Sequence, residues 1–320
     1  MTQIPNTAIE SIQPTVLQSL EKIPPGSLAV VLGTFYPKWV EGERAQDDYS
    51  NVDKIRGDLA IETVKAVING GHRCVIVDGA SPESLLNTFR KAGAIVLKEE
   101  ERGMSASRQQ GFKHASEIEG VSIIAHMEPE KVKMAKECLL EAAQPILKGE
   151  ADVVIPERSE EGFNSLPGYQ KEDEQLANAK FTNVLKLAGL LDQNSPDIDF
   201  WFGPRLFRND PELVQLFLRK YKYNPGITAV DKKVRPDLWP NATFFPIIAA
   251  MHAGYKVVSQ LVPGYRHPEA QVNAELDPKN LAAFIAKRKE QQRGIVHAAT
   301  QYIRFLLKNP LKPTRLELIS

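Results

Sequence analysis

Short β-prone apolar runs alternating with amphipathic helical segments predict an α/β fold, a mainly parallel central sheet flanked by helices. Three observations carry this prediction. Leu28-Ala-Val-Val-Leu32 is apolar without interruption, as a strand covered on both faces must be. Comparable runs recur at 74–77, 94–97, 121–125 and 152–155. Between them, apolar residues repeat at the spacing of one helical face.

The elements follow in order. A lead-in ends at Pro24-Pro25-Gly26, and the first strand opens the core. Asp58 then precedes Leu59, Ile61, Val64, Val67 and Ile68 at helical spacing, with Gly70-Gly71 as the stop. Ser81-Pro82 supplies an N-cap and a first-turn proline for a helix reaching about Lys91, which Gly93 ends. Further helices are expected over 104–116 and 131–147. Residues 157–174 read as a polar loop rich in Gly and Pro, followed by a helix over 175–191. Residues 197–207 mix aromatics with charge, Asp210-Pro211-Glu212 starts a helix, and 257–262 is a late strand. Asp277-Pro278 opens an amphipathic helical tail to about Lys308, suited to packing on the body or on a second subunit as a homo-oligomer. The expected organisation is a lead-in (1–27), a main α/β domain (28–275) and a helical C-terminal extension (276–320).

Forty basic residues balance forty acidic ones in 320, so no global field favours nucleic acid and the expected partner is small. Cys74 and Cys138 have neither the spacing of a zinc site nor the number of a disulfide framework, which suits a reducing compartment. The start Met-Thr-Gln-Ile-Pro-Asn lacks the basic and apolar regions of a signal peptide. No apolar stretch approaches the roughly 20 residues of a membrane span. A soluble, cytoplasmic protein is expected.

Familiar nucleotide signatures are absent. No Gly-x-Gly-x-x-Gly follows Leu32 and no Gly-Lys-Ser/Thr phosphate loop occurs, which disfavours dinucleotide dehydrogenases and P-loop kinases. Nucleophile-elbow and zinc-protease patterns are missing too. What remains is a series of strand ends, and open α/β sheets bind ligands beyond the carboxyl ends of their strands. The first strand delivers Gly33, Thr34 and Phe35; the second delivers Asp78-Gly79-Ala80-Ser81; residues 121–125 lead to His126 and then Glu128-Pro129-Glu130. In an extended segment Glu128 and Glu130 point to one side, so a divalent ion, Mn²⁺ or Mg²⁺, could bridge both to a diphosphate. The alternative is that Glu128 caps the next helix and Glu130 complements its dipole. Asp78 could accept from a base or ribose, or merely close its own turn, and Arg108 could neutralise phosphate.

Taken in order, these segments resemble the nucleotide-diphospho-sugar transferases of the GT-A fold, family 2 glycosyltransferases above all. Ala29-Val-Val-Leu-Gly-Thr-Phe35 is similar to their opening strand and turn, Val77-Asp-Gly-Ala-Ser81 to their Val-Asp-Gly-x-Ser element, and Gly103-Met-Ser-Ala-Ser-Arg108-Gln-Gln-Gly111 to their Gly-x-x-x-x-Arg-x-x-Gly segment. Glu128-Pro-Glu130 stands where the family usually has Asp-x-Asp. Residues 149–158 are similar to the strand after the metal site, and 197–207 to the acceptor-side segment. The resemblance spans roughly residues 28 to 270.

It implies a GT-A-like, Rossmann-related fold and a metal-dependent glycosyltransferase that moves a sugar from a nucleoside diphosphate donor to a hydroxyl acceptor. Gly33, Thr34, Phe35, Asp78, Gly103 and Arg108 would bind the nucleotide sugar. Glu128 and Glu130 would hold the metal, joined by His267 past the last core strand. Asp197 or Asp199 would take the acceptor proton. Trp201 and Phe202 could stack on a sugar or belong to the core. The competing readings are a nucleotidyltransferase, whose Gly-rich basic loop Gly33-Thr-Phe-Tyr-Pro37 lacks, and a non-catalytic nucleotide-sugar-binding relative.

Overall fold

The computed structural model describes residues 11–12, 20–45, 48–220 and 243–308. Most of the lead-in and the last residues of the C-terminal extension lie outside the described residues. The strands are β1 (Ser11–Ile12), β2 (Leu28–Thr34), β3 (Arg73–Asp78), β4 (Ile95–Lys98), β5 (Ile123–His126), β6 (Val153–Arg158), β7 (Arg205–Arg208) and β8 (Val257–Val262). They form one sheet in the order β1-β8-β6-β7-β5-β2-β3-β4. Every pairing is parallel except those of β7, which runs antiparallel to both β5 and β6.

The uninterrupted apolar strands serve two cores. In β2, Ala29 and Val31 enter the core that holds Phe112, Phe181 and Phe245, while Leu28, Val30 and Leu32 enter the one that holds Val64, Phe89 and Ala142. The second core is roofed by α1 (Val52–Asn69), α2 (Glu83–Lys91) and α4 (Leu139–Leu147), the last entered through a π-helical turn at Met134–Cys138. The first is roofed by α3 (Met104–Ser116), α6 (Gly168–Leu187), α7 (Pro211–Leu218) and α8 (Phe245–His252). After α9 (Glu269–Leu276), the long helix α10 (Leu281–Lys308) packs on α6 and α8, stacking Tyr302 on Phe245. Cys74 and Cys138 are buried free thiols. No described helix is long and apolar enough to cross a membrane.

Several expectations change. α2 begins at Glu83 with Pro82 as its cap residue and no side-chain cap, so Ser81 does not cap it and its hydroxyl instead accepts from the Tyr36 amide. α1 starts at Asn51, which caps it by accepting from the Lys54 amide at 3.0 Å, rather than at Asp58. Residues 157–174 are not a loop: Ser159 caps α5 (Glu160–Asn164), and Pro167 opens α6. Some of their polar residues turn inward because they have partners, as in the buried Gln170–Glu174 hydrogen bond of 2.8 Å. Within the aromatic 197–207 segment, a 3-10 turn (Phe200–Phe202) leads into β7, whose Arg205 is buried beside the apolar Leu206 and Phe207.

Gly111 shows why α3 lies close to the sheet. A Cβ there would collide with Val31 Cγ1 at the centre of β2. Replacing a helical glycine by alanine ordinarily gains about 1 kcal/mol, whereas forcing a methyl into a packed core costs about 1–3 kcal/mol. Gly111→Ala is therefore expected to lower the urea midpoint; an unchanged or raised midpoint would show that α3 can shift away from Val31.

Candidate functional site

The strand order reverses between β2 and β5. From β2 the chain proceeds outward through β3 to β4, while β5 begins the other half, and at such a reversal open α/β sheets place their ligand crevice, past the carboxyl ends of the strands. Thr34 pairs with Asp78 across β2 and β3, and His126 lies opposite Arg205 across β5 and β7. These registers bring the expected strand-end residues to one edge of the sheet.

On the β3 side, Asp78 is buried and already engaged. Its Oδ1 accepts from the Thr34 hydroxyl at 2.7 Å and its Oδ2 from the Ser81 amide at 2.8 Å, while the Ser81 hydroxyl accepts from the Tyr36 amide at 3.0 Å. Asp78 thus closes the turn that shapes this wall. Phe35 is left 59% exposed, and its ring leans on Gly79, where a side chain would crowd both Phe35 and the Glu99 carboxylate. Glu99 anchors the start of α3 by accepting from the Gly103 amide at 3.1 Å and from the Ser107 hydroxyl. Gly103 has φ 138°, a conformation that favours glycine.

The two glutamates after β5 have different surroundings. Glu130 is 2% exposed, and its Oε1 accepts from the Tyr36 hydroxyl at 2.7 Å and faces the Arg56 Nε at 2.6 Å. Burial and the Glu130 charge push the Tyr36 hydroxyl pKa well up. Glu128 keeps a partly exposed side chain that lies against the glycine backbone of Gly203, where a Cβ would collide with its carboxylate. Its Oε2 has no hydrogen-bond partner, and the Lys131 ammonium stands 3.7 Å from it. Arg108 and Arg205 are both buried and both feel the Glu128 charge; burial nevertheless pulls each guanidinium down to about 10. Arg205 is fixed by Pro204 O and Phe200 O, each at 2.6 Å, leaving its Nε without a partner.

Lys131 is boxed in. Its ammonium sits 4.7 Å from the centre of the Phe202 ring and 5.4 Å from that of Tyr265, with the Tyr265 hydroxyl at 3.5 Å. Burial works against its charge, but Tyr265 and Glu128 outweigh burial and raise its pKa. Tyr265 in turn meets His267 Nδ1 at 3.3 Å, and His267 Nε2 has no hydrogen-bond partner. Burial, then Lys131, holds the His267 pKa well below the usual imidazole value, leaving the ring neutral. Among the described residues, no group of three or more His, Cys, Asp or Glu is arranged to hold a metal ion. His126 is buried with Nδ1 at 3.2 Å from Val31 O and its ring edge-on to Phe112, as a core histidine would be.

Asp199 and Asp197 also part company. Asp199 is buried, with Arg158 donating to both its oxygens at 2.7 Å and Asn178 adding a third bond at 2.8 Å. Burial opposes its ionisation, yet Arg158 prevails and holds its pKa below the usual carboxylate value. Asp197 is exposed. Trp201 packs edge-on against Phe244 at 5.1 Å and Phe181 at 6.1 Å, and so belongs largely to the core. Glu157, near the end of β6, has its carboxyl pushed up to about 7 by burial and then by Asp199. The sequence reading did not single out Lys131, Arg205, Arg158 or Tyr265 as crevice groups. Lys131 was within reach, three residues past Glu128 and closing the same turn, its amide donating to Glu128 O at 3.1 Å.

A mainly parallel sheet with one reversed strand next to the switch point, helices on both faces and a helical extension defines a GT-A-like α/β fold. Among solved structures, it is similar to glucosyl-3-phosphoglycerate synthase from Mycobacterium tuberculosis. The complex of that enzyme with Mn²⁺, uridine diphosphate and glucosyl-3-phosphoglycerate matches with a TM-score of 0.51 at 10% identity, over 92% of this chain and 88% of that one. Its complex with uridine diphosphate matches with a TM-score of 0.48 at 10% identity over the same shares. At such identity the likeness is one of fold. No protein-family model and no curated protein sequence matches the chain.

Two predictions follow from the carboxylates. Removing one partner of a buried ion pair costs about 3–5 kcal/mol, whereas an exposed substitution stays within about 0.5 kcal/mol. Asp199→Ala should therefore strongly lower the chemical-denaturation midpoint and Asp197→Ala should leave it in place; equal midpoints would mean that Arg158 finds other partners. For Glu157, the folded pKa near 7 exceeds the ordinary 4.5, so the acid contributes stability below about pH 4.5 that is lost as pH rises through about 7. Glu157→Gln should raise the melting temperature relative to wild type at pH 8 and not at pH 4.5, and a gain of the same size at both would remove the burial effect.

Proposed function

We propose that the chain is a glycosyltransferase that moves a sugar from a nucleoside diphosphate donor to a hydroxyl acceptor. One observation carries this reading: at the switch point, the Lys131 ammonium stands 3.7 Å from the Glu128 carboxylate and the buried Arg108 and Arg205 feel its charge, a cationic setting suited to a diphosphate. The exposed Phe35 ring would take the base, with Gly33, Thr34 and Asp78 shaping that wall and Gly103 placing α3 so that Arg108 reaches the phosphates. Residues 28–275 would carry donor and acceptor functions, and the 276–320 extension would cover the acceptor side or meet a second copy. The cytoplasmic location belongs to the same proposal.

A divalent ion of the Mn²⁺ or Mg²⁺ kind fits Glu128, whose Oε2 is without a hydrogen-bond partner, because such ions commonly take one or two carboxylates and complete their shell with substrate phosphates. His267 offers a neutral nitrogen, while Glu130 is committed to Arg56 and Tyr36 and would join only on breaking that pair. When bound, the ion would supply Lewis-acid stabilisation of the departing diphosphate. Arg108 and Arg205 would hold the same charge from the protein side. Of the two aspartates, we assign the acceptor-side base to Asp197, since Arg158 and Asn178 already occupy Asp199.

The test is a binding and hydrolysis screen of uridine, guanosine, adenosine and cytidine diphosphates and their sugar conjugates, with and without Mn²⁺. Stabilisation by one nucleotide and release of its sugar would support transfer chemistry; nucleotide binding without sugar release would favour a non-catalytic binder. Glu128→Gln should keep the wild-type melting temperature, lose the Mn²⁺-dependent part of nucleotide binding and lower turnover about a hundredfold. Wild-type turnover in that variant would take Glu128 out of the donor site.

A further inference from the structure

We propose that Lys131 is a built-in counter-cation of the donor site, so that nucleoside diphosphate binding persists without a divalent ion. This deepens the proposed function and rests on it. The two glutamates after β5 are not equivalent. Arg56 and Tyr36 withdraw Glu130 at 2.6 and 2.7 Å, which leaves Glu128 as the available carboxylate of the pair. A bare carboxylate at that point would repel a diphosphate. Lys131 stands 3.7 Å from it, close enough to neutralise it yet too far for a hydrogen bond, so the ammonium keeps donors for another anion.

The position of that ammonium is built rather than accidental. The rings of Phe202 and Tyr265 flank it at 4.7 and 5.4 Å, and the Tyr265 hydroxyl faces it at 3.5 Å. Tyr265 is itself fixed by Phe202, with ring centroids 4.4 Å apart, and meets His267 Nδ1. Cation–π contacts in a desolvated setting hold a lysine more firmly than a surface ion pair does. The aromatic box therefore places a permanent positive charge between Glu128 and the Tyr265–His267 pair. Arg205, buried with its Nε unpartnered, is a second fixed cation that feels the Glu128 charge.

The experiment titrates the wild type, Lys131→Met and Lys131→Arg with the diphosphates of uridine, guanosine, adenosine and cytidine by calorimetry, in EDTA and in Mn²⁺. For the wild type, affinity in EDTA should lie within about threefold of that in Mn²⁺ for the nucleotide that binds. Lys131→Met should lose about tenfold or more in EDTA, recover in Mn²⁺, and so become metal-dependent. Lys131→Arg should remain metal-independent. Wild-type binding that requires Mn²⁺, or Lys131→Met binding as wild type in EDTA, would overturn the role of Lys131 while leaving the donor site intact. The absence of binding by any of the four in either condition would overturn the donor-site reading and this inference with it. The wild-type arm needs no variant to fold, and melting curves establish folding of the other two.

Discussion

Arg158 is the constraint on which the crevice depends. Its guanidinium donates to both oxygens of Asp199 and meets Glu174 at 2.7 Å, and Glu174 also faces Arg288 at 3.5 Å. One buried side chain at the end of β6 therefore ties the turn before β7, helix α6 and helix α10 together. Its plane also lies over the rings of Phe163 and Phe202 at 4.2 and 5.1 Å, so the same residue sets the wall on which Lys131 rests. Burying a charge is costly unless geometry and hydrogen bonding compensate, and bidentate pairing with a second carboxylate supplies that compensation. An apolar substitute could fill the volume but could not hold three elements in one orientation.

The contrast between Glu128 and Glu130 follows from that framework. Extended geometry allows both carboxylates to face one point, yet charge neutralisation decides whether they do. Arg56 projects from α1 and Tyr36 from the loop after β2, and together they satisfy Glu130 inside the protein. Glu128 instead faces the switch point, where the glycine at 203 leaves room for its carboxylate. The pair that looks equivalent in sequence is divided into an internal strut and a crevice-facing group.

The parallel strands other than β1, which lies in the lead-in, and most helices were legible because burial on two faces writes an apolar run and amphipathic packing writes a period. The strand-end residues followed, since a strand's position fixes where it ends. Side-chain pairing was not legible. Nothing local marks Arg56 as the partner of Glu130 or Arg158 as that of Asp199, because each pair joins distant segments of chain. The polar run 157–174 was misread for the same reason: Gln170 and Glu174 look solvated until Arg158 and Arg288 come to meet them. Strand β7 escaped notice because Arg205 breaks the apolar pattern, its charge absorbed by backbone carbonyls that no sequence pattern displays.

Charge at the crevice differs from charge over the whole chain. Forty acidic and forty basic residues cancel globally, yet the Lys131 ammonium stands 3.7 Å from Glu128 and the buried Arg108 and Arg205 feel its charge. That local excess favours an anion arriving alone and disfavours a dication arriving alone, because each added positive charge must displace or share Lys131. On the proposed reading, a seated diphosphate would reverse that balance and offer a divalent ion phosphate oxygens in addition to Glu128. Linkage then requires reciprocity: whatever the nucleotide adds to metal affinity, the metal adds equally to nucleotide affinity. Were Lys131 the site's own counter-cation, that coupling would be small, since much of the charge the ion would bring is already present in the folded chain.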